Sequence, residues 1–240
     1  MNTALILAGG VDSRFKMDIP KQFVNVNNRP VIVYTLEIFQ NHPEIDEIVV
    51  ICLNGWQEMV RVYGKQFNIT KLTEIISGGA DAQESTYKGL QYLKEKMGQG
   101  DIVVIHDAIR PMVSEEIISK SIKMCRKKGM GVAATYIMDT IMHSNNGKEG
   151  NQSINRYQIM KVQTPQSFDF ELIMDLHERA IEKNCVGAWD NSSMITNLGE
   201  KVYFSEGSDL NMKINTVEDV EMFKALYKMK SLEEKTFDKK

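Results

Sequence analysis

The sequence predicts an α/β fold, a mixed, mainly parallel sheet flanked by helices. Three observations predict it. Short apolar, β-branched runs recur along the chain, they alternate with segments of helical periodicity, and the runs are continuous rather than apolar at every second residue. Continuous apolar strands belong to sheets covered on both faces, the usual state of parallel strands joined by helical crossovers.

The elements follow in order. A first strand over residues 4–7 breaks at Gly9-Gly10. Further strands are expected at 47–52, 74–76, 101–106 and 131–136, separated by helices at 31–40, 56–66, 81–96 and 115–128. In the last of these helices Ile117, Ile118, Ile122 and Cys125 recur at helical spacing, and Ser114 is placed to cap it. The pattern then breaks. Residues 139–161 contain "HSNNGKEGNQS", a polar segment of turn chemistry between two short strand-like pieces, "TIM" and "YQIMKV". This reads as an extended β-arm rather than a second domain. A helix at 170–183, a strand at 201–204, a short strand at 212–214 and a helix at 217–229 complete the chain. Residues 1–230 are thus expected to form a single domain with an arm at about 139–161, and 231–240 a charged, frayed tail.

Composition narrows the function. The 240 residues are 42% hydrophobic and 25% charged with a formal net charge of -3, so no global electrostatic grip on nucleic acid is expected. The three cysteines (Cys52, Cys125, Cys185) have no metal-ligand spacing, and Cys52 and Cys125 read as buried thiols. No signal peptide is recognisable and no run approaches the ~18 apolar residues of a membrane span, so a cytoplasmic protein without a membrane partner is expected.

The stretch "ALILAGGVDSRFKMDIPKQF" carries the first chemistry: a strand ends in two glycines, with Arg14, Lys16 and Lys21 behind them. A dinucleotide fingerprint needs G-x-G-x-x-G and a P-loop needs G-K-[ST]; neither is present, and a plain tight turn with solvated cations is the alternative. Two later segments favour a phosphate ligand. In "VVIHDAIRP" a strand ends in His106-Asp107, with Arg110 just beyond. A carboxylate at the carboxyl end of a parallel strand faces the ligand crevice and can hold a divalent cation; a simple Asp107–Arg110 pair is the competing reading. In "NMKINTVEDV", Lys213 precedes a capping sequence, Thr216 to Asp219, that starts the last helix. Three strand ends thus offer Arg14, Lys21, Asp107 and Lys213, a set suited to a triphosphate and its metal.

Taken together, "LAGG…SR…PKQF", "RPVIVYTLEIF", "GGADAQES", "IHDAIRP", "DTI", "NR…VQTPQSF" and "LNMKINTVED" resemble the polyol-phosphate cytidylyltransferases, the ribitol-5-phosphate and 2-C-methyl-D-erythritol 4-phosphate enzymes. The matches run from residue 4 to about 228. The resemblance implies a Rossmann-like nucleotidyltransferase domain that joins a polyol phosphate to CTP with magnesium and releases pyrophosphate. It implies that Arg14, Lys21 and Lys213 are catalytic, with Arg14 and Lys21 on the triphosphate. It further implies that Ala8, Gly9, Gly10, Gly79, Ser85 and Asp107 bind CTP, Asp107 also meeting the metal. Arg110, Thr140, Arg156 and Thr164 would serve the acceptor, with Arg156 and Lys213 gripping its phosphate and Gln163 to Gln166 lining a wall. Arg156 would arrive from the arm of a second copy, so a homodimer is expected.

Some positions depart from the family pattern. Asp12 stands where a second glycine is usual, Ala82 where an arginine is usual, and Trp189 begins the usual "TD" pair, an aromatic expected to reshape the acceptor pocket. "LAGG", "NGW" and "SDLNMK" lean toward the ribitol-5-phosphate group. The alternatives are the methylerythritol-phosphate reaction, another base on the same fold, and a non-catalytic CTP- or sugar-nucleotide-binding relative.

Overall fold

The computed structural model describes residues 1–10, 15 and 19–237. In chain order its elements are β1 (Asn2–Ala8), a 3-10 turn (Lys21–Phe23), β2 (Asn25–Val26), β3 (Arg29–Pro30), α1 (Val31–Asn41), β4 (Glu47–Cys52), α2 (Gln57–Gln66), β5 (Leu72–Ser77), α3 (Ala82–Leu93), β6 (Ile102–Asp107), α4 (Glu115–Lys128), β7 (Met130–Tyr136), β8 (Ile141–His143), β9 (Gln152–Ile154), a second 3-10 turn (Arg156–Gln158), β10 (Met160–Asp169), α5 (Phe170–Glu182), α6 (Asn191–Asn197), β11 (Phe204–Glu206) and α7 (Val217–Phe237). Seven strands form one sheet in the order β11-β7-β10-β6-β1-β4-β5. Only β10 runs against the others, pairing antiparallel with both β6 and β7.

The continuous apolar runs divide between two faces, as the pleat requires. Ala4, Ile6, Ile48, Val50 and Val104 pack toward Leu36, Phe39, Ile118 and Ile122 of α1 and α4. Their alternates Leu5, Val49, Ile51, Val103 and Ile105 pack toward Leu90 of α3, Ile173 of α5 and Met194 of α6. A third cluster joins Val24, Val26, Tyr34 and Ile109 to Ile214 and Phe223 of α7. Burial pushes the Cys52 and Cys125 thiols up to about 12, so both stay protonated.

Local signals act as expected at most boundaries. Ser114 Oγ accepts from the Ile117 N–H and caps α4, while Gly129 at φ +78° closes it in the left-handed conformation. The segment 139–161 holds the β8–β9 hairpin, a separate two-stranded sheet with no buried residue between 141 and 154.

Three expectations need correction. Residues 212–214 form no strand; the Ile214 N–H bonds the Ile109 carbonyl at 2.9 Å. The strand expected at 201–204 begins only at Phe204, where the ladder to β7 starts. The last helix does not end at Met229 but runs to Phe237. The "VQTPQSF" segment lies within β10, which passes through Thr164 and Pro165 with a slip in register between Val162 and Gln166. A proline inside a strand argues for a break, and the slip is how the ladder accommodates it. One helix was not foreseen: α6, whose start is a capping box of Asp190 and Ser193.

Candidate active site

Parallel register brings four strand ends to one level. Ala8 of β1 lies beside Cys52 of β4, Cys52 beside Ser77 of β5, and Leu7 beside Asp107 of β6. The loops that follow enclose a cavity of about 410 Å³. Its walls are Ala8, Gly9 and Gly10 after β1, Leu53 after β4, Gly79 to Ala82 and Ser85 at the start of α3, Asp107 and Ile109 after β6, and Lys21, Gln22 and Lys213. Two grooves of about 460 Å³ lie elsewhere, one between α2 and β5 and one beside α1, α4 and α7; neither stands at the strand ends.

The lysine turn is held by its neighbours. Phe23 is buried and stacks on Trp56 with ring centroids 4.5 Å apart and planes within 6°. Gln22, 1% exposed, donates from Nε2 to the Ala8 carbonyl at 2.8 Å and to that of Gly10 at 3.4 Å, tying the glycine turn down. Lys21 between them is 6% exposed, and its Nζ donates to Asn215 Oδ1 at 3.2 Å. Among the described residues, a Cβ added at Gly10 would meet nothing within 4 Å.

On the α3 side, Ser85 Oγ accepts from the Gly79 N–H at 2.9 Å, and a Cβ on Gly79 would stand 2.6 Å from Glu84 Cβ. Asp81 Oδ1 accepts from the Glu84 N–H at 2.8 Å, so this carboxylate caps α3 rather than opposing an anion in the cavity. Ala82 gives the wall a methyl group where a longer side chain would project.

Asp107 is the electrostatic centre. Its Oδ2 accepts from Arg110 Nε at 2.9 Å and lies 3.1 Å from Lys213 Nζ. Burial pushes its carboxyl up, but Lys213 and Arg110 outweigh burial and hold it well below the usual range. Next to it, burial drives the imidazole of His106 down to about 3, so His106 stays neutral. Behind Asp107 a buried polar bracket holds the segment that carries Lys213. Thr164 Oγ1 accepts from the Asp107 N–H at 3.0 Å. Arg110 Nη1 donates to the Asn211 carbonyl at 2.9 Å, and Asn211 Nδ2 donates to the Thr164 carbonyl at 2.8 Å. Gln163 pairs with the Ser208 backbone in both directions, at 2.8 and 3.2 Å. Gly207 admits this approach, since a Cβ there would lie 2.5 Å from Gln163 Oε1.

The structure therefore gathers Ala8, Gly9, Gly10, Lys21, Gly79, Ser85, Asp107 and Lys213 around one cavity. Arg110 and Thr164 stand behind it, both engaged with Asp107, so the simple Asp107–Arg110 pair is present. Thr140 and Arg156 lie on the arm, away from their own chain's cavity; the Arg156 guanidinium bonds the Met138 carbonyl and sits 5.4 Å from the Tyr157 ring centroid. Arg14, Asp12 and Lys16 lie outside the described residues. Trp189 does not line this cavity and is 93% exposed. Sequence reasoning missed Gln22 and Asn215, whose value lies in which partners they reach across the fold.

The donor set speaks to magnesium. Asp107, already paired with two cations, and Asp81, which caps α3, are the acidic residues among the described lining, and among the described residues no three acidic, His or Cys side chains cluster as ligands. The described residues build no cage of their own, which fits an ion that keeps its waters and arrives on a polyphosphate.

Comparisons with known proteins point to one family. The family model described as "IspD: 2-C-methyl-D-erythritol 4-phosphate cytidylyltransferase" matches residues 2–228. A ribitol-5-phosphate cytidylyltransferase of Lacticaseibacillus paracasei is 41% identical over 235 residues, covering 97% of this chain and 100% of that protein. A 2-C-methyl-D-erythritol 4-phosphate cytidylyltransferase of Clostridium tetani is 37% identical over 219 residues, 91% of this chain and 87% of its own. Among solved structures, the 4-diphosphocytidyl-2C-methyl-D-erythritol synthase of Anaerococcus prevotii superposes with a TM-score of 0.79 at 26% identity, covering 95% of this chain and 98% of that one. A family model spanning nearly the whole chain settles the family: this chain belongs to the IspD cytidylyltransferases.

Proposed function

We propose that the protein transfers CMP from CTP to a polyol phosphate, ribitol 5-phosphate before others, releasing pyrophosphate. The observation that carries the reading is the convergence of Lys21 and Lys213, from opposite ends of the chain, on the cavity beside Gly9-Gly10 and Asp107. An acceptor phosphate oxygen attacks the α-phosphorus of CTP, and the bond from that phosphorus to the leaving pyrophosphate breaks. The phosphate is already anionic, so no general base is needed. Negative charge grows on the non-bridging oxygens and on the leaving group. Lys21, fixed in the fold, meets that charge without reorganising. Lys213 faces the acceptor phosphate from the other wall. The N-terminus of α3, capped by Asp81, brings Gly79 and Ser85 against the base. Magnesium, when bound on the triphosphate, supplies charge neutralisation, and Asp107 is the carboxylate that would face it.

Arg156 completes the acceptor grip only if the arm reaches a second copy, because it lies outside the cavity of its own chain. The enzyme is therefore a homodimer with shared sites in this reading. No helix among the described residues is long and apolar enough to cross a membrane, which suits phosphorylated, water-soluble substrates. The second reading, 2-C-methyl-D-erythritol 4-phosphate as acceptor, is favoured by the family description itself.

The test is a pyrophosphate-release screen crossing CTP, UTP, ATP and GTP with ribitol 5-phosphate and 2-C-methyl-D-erythritol 4-phosphate. Fastest turnover is expected with CTP and ribitol 5-phosphate. Faster turnover with the other acceptor would move the assignment to it, and CTP binding with no pyrophosphate from any pair would establish a non-catalytic relative.

A further inference from the structure

Asn215 joins the two lysines. Its Oδ1 accepts from Lys21 Nζ at 3.2 Å, while its Nδ2 donates to the Lys213 carbonyl at 3.2 Å. Lys21 is a pure donor and a carbonyl a pure acceptor, so only one orientation of the amide satisfies both. The backbone around Asn215 is pinned as well. The N–H groups of Asn215 and Thr216 donate to Asp219 Oδ2 at 2.8 and 2.9 Å, and the Asp219 N–H returns a bond to Thr216 Oγ1 at 3.2 Å. Ile214, fully buried, bonds the Ile109 carbonyl at the end of β6. Asn215 therefore has a fixed backbone, and its side chain reaches a turn 194 residues away in sequence.

We infer that Asn215 is a positioning residue for the transfer reaction: it sets the place of Lys21 relative to Lys213, and through it the α7 cap holds both walls of the cavity in one register. The inference rests on the assignment of Lys21 to the triphosphate. Asparagine meets the requirement because it offers a donor and an acceptor at one side-chain length. An aspartate would turn an oxygen toward the Lys213 carbonyl, and a leucine would fill the space with neither group.

The test is a double-mutant cycle of Asn215→Leu and Lys21→Ala, read by pyrophosphate release with CTP and the best acceptor. Asn215→Leu is expected to lower kcat by about 10- to 100-fold, the scale set by slight misplacement of a reacting group. The KM for CTP should change by less than about threefold, since a charge met chiefly in the transition state is lost from kcat. In the Lys21→Ala background the same substitution should lower kcat by less than about threefold, because the group it positions is gone. Asn215→Ala repeats the cycle in case leucine disturbs folding. An equal loss in both backgrounds would overturn the inference. So would failure of both variants to fold, which would make Asn215 a support of α7 rather than of the lysines. Inactivity of the unmodified protein, or full activity of Lys21→Ala, would strike the underlying assignment instead, and the cycle tells these apart.

Discussion

Replacing Asp107 by asparagine removes the charge that two cations share while keeping the shape of the side chain. Arg110 Nε and Lys213 Nζ lie 2.9 and 3.1 Å from the same oxygen. At an effective dielectric of about 20, each such contact is worth about 5 kcal/mol of Coulomb attraction before desolvation is subtracted. Desolvation cancels much of it, and the two partners differ in what remains. The Lys213 side chain is 38% exposed and turns to water when released, so its share is discounted. The Arg110 side chain is 10% exposed and held by the Asn211 carbonyl, so its charge stays buried without a counter-ion. The net loss is about 2–4 kcal/mol, near the lower end of what breaking a buried pair costs. For a chain of 240 residues this corresponds to a fall in Tm of about 4–8 °C.

The assay is thermal unfolding of the purified protein and of Asp107→Asn at several pH values. The folded-state pKa of Asp107 is depressed, so its contribution is present above the ordinary carboxylate pKa of about 3.9 and is lost as pH falls below it. The difference between the two proteins should therefore be constant from about pH 5 to 8 and shrink in acid. Melting of Asp107→Asn within about 1 °C of the parent at neutral pH would refute the argument, because the carboxylate would then not be neutralising a buried guanidinium.

Three further outcomes follow from the same geometry. Lys21→Ala should lower turnover by about 10²–10³ at saturating CTP, the usual loss for one preorganised donor; near-full turnover would remove Lys21 from the mechanism. Mixed dimers of an Arg156→Ala chain with a Lys21→Ala chain should recover roughly half the activity per dimer if two sites are shared between chains; verified heterodimers without recovery would refute the crossing arm. His177 is buried, and burial outweighs its bond to Asn191 in lowering its pKa to about 4. Between about pH 4 and the unfolded value of about 6.5 the unfolded chain takes up the proton, so stability falls as pH drops; His177→Gln should shrink the change in urea-unfolding free energy between pH 7 and 5 by about 2 kcal/mol, and an unaltered pH dependence would contradict the burial argument.

The parallel sheet was legible because its signal is local and repeated. Residues 47–52 are apolar on both pleat faces, and only a sheet covered on both sides makes use of Val49 and Val50 together. Where the sequence misled, a local rule met a tertiary exception. Pro165 speaks for a break, yet β10 lies between β6 and β7, and two neighbouring ladders hold it through the slip. Residues 212–214 have strand composition but join no ladder; the Ile214 N–H bonds the Ile109 carbonyl beyond β6 instead. The α6 helix is short and rich in Ser and Asn, so hydrophobic periodicity was too weak to reveal it.

The site divides along a similar line. Residues that meet the cavity directly were readable, because a strand end followed by glycine, lysine or aspartate is a local pattern with a chemical meaning. Residues that act through another were not. Gln22 and Asn215 are ordinary polar letters until the fold brings Gln22 under Ala8 and Asn215 between Lys21 and Lys213. Arg110 shows the limit from the other side. Its spacing from Asp107 allowed either a ligand contact or an ion pair, and what selects the pair is a carbonyl a hundred residues on: Asn211, itself anchored to Thr164, occupies the second arm of the guanidinium. Nε and Nη1 of Arg110 are thus both engaged inside the fold. Its charge is then better placed to keep Asp107 ionised and Lys213 at the edge of the cavity, where an incoming phosphate can compete for it.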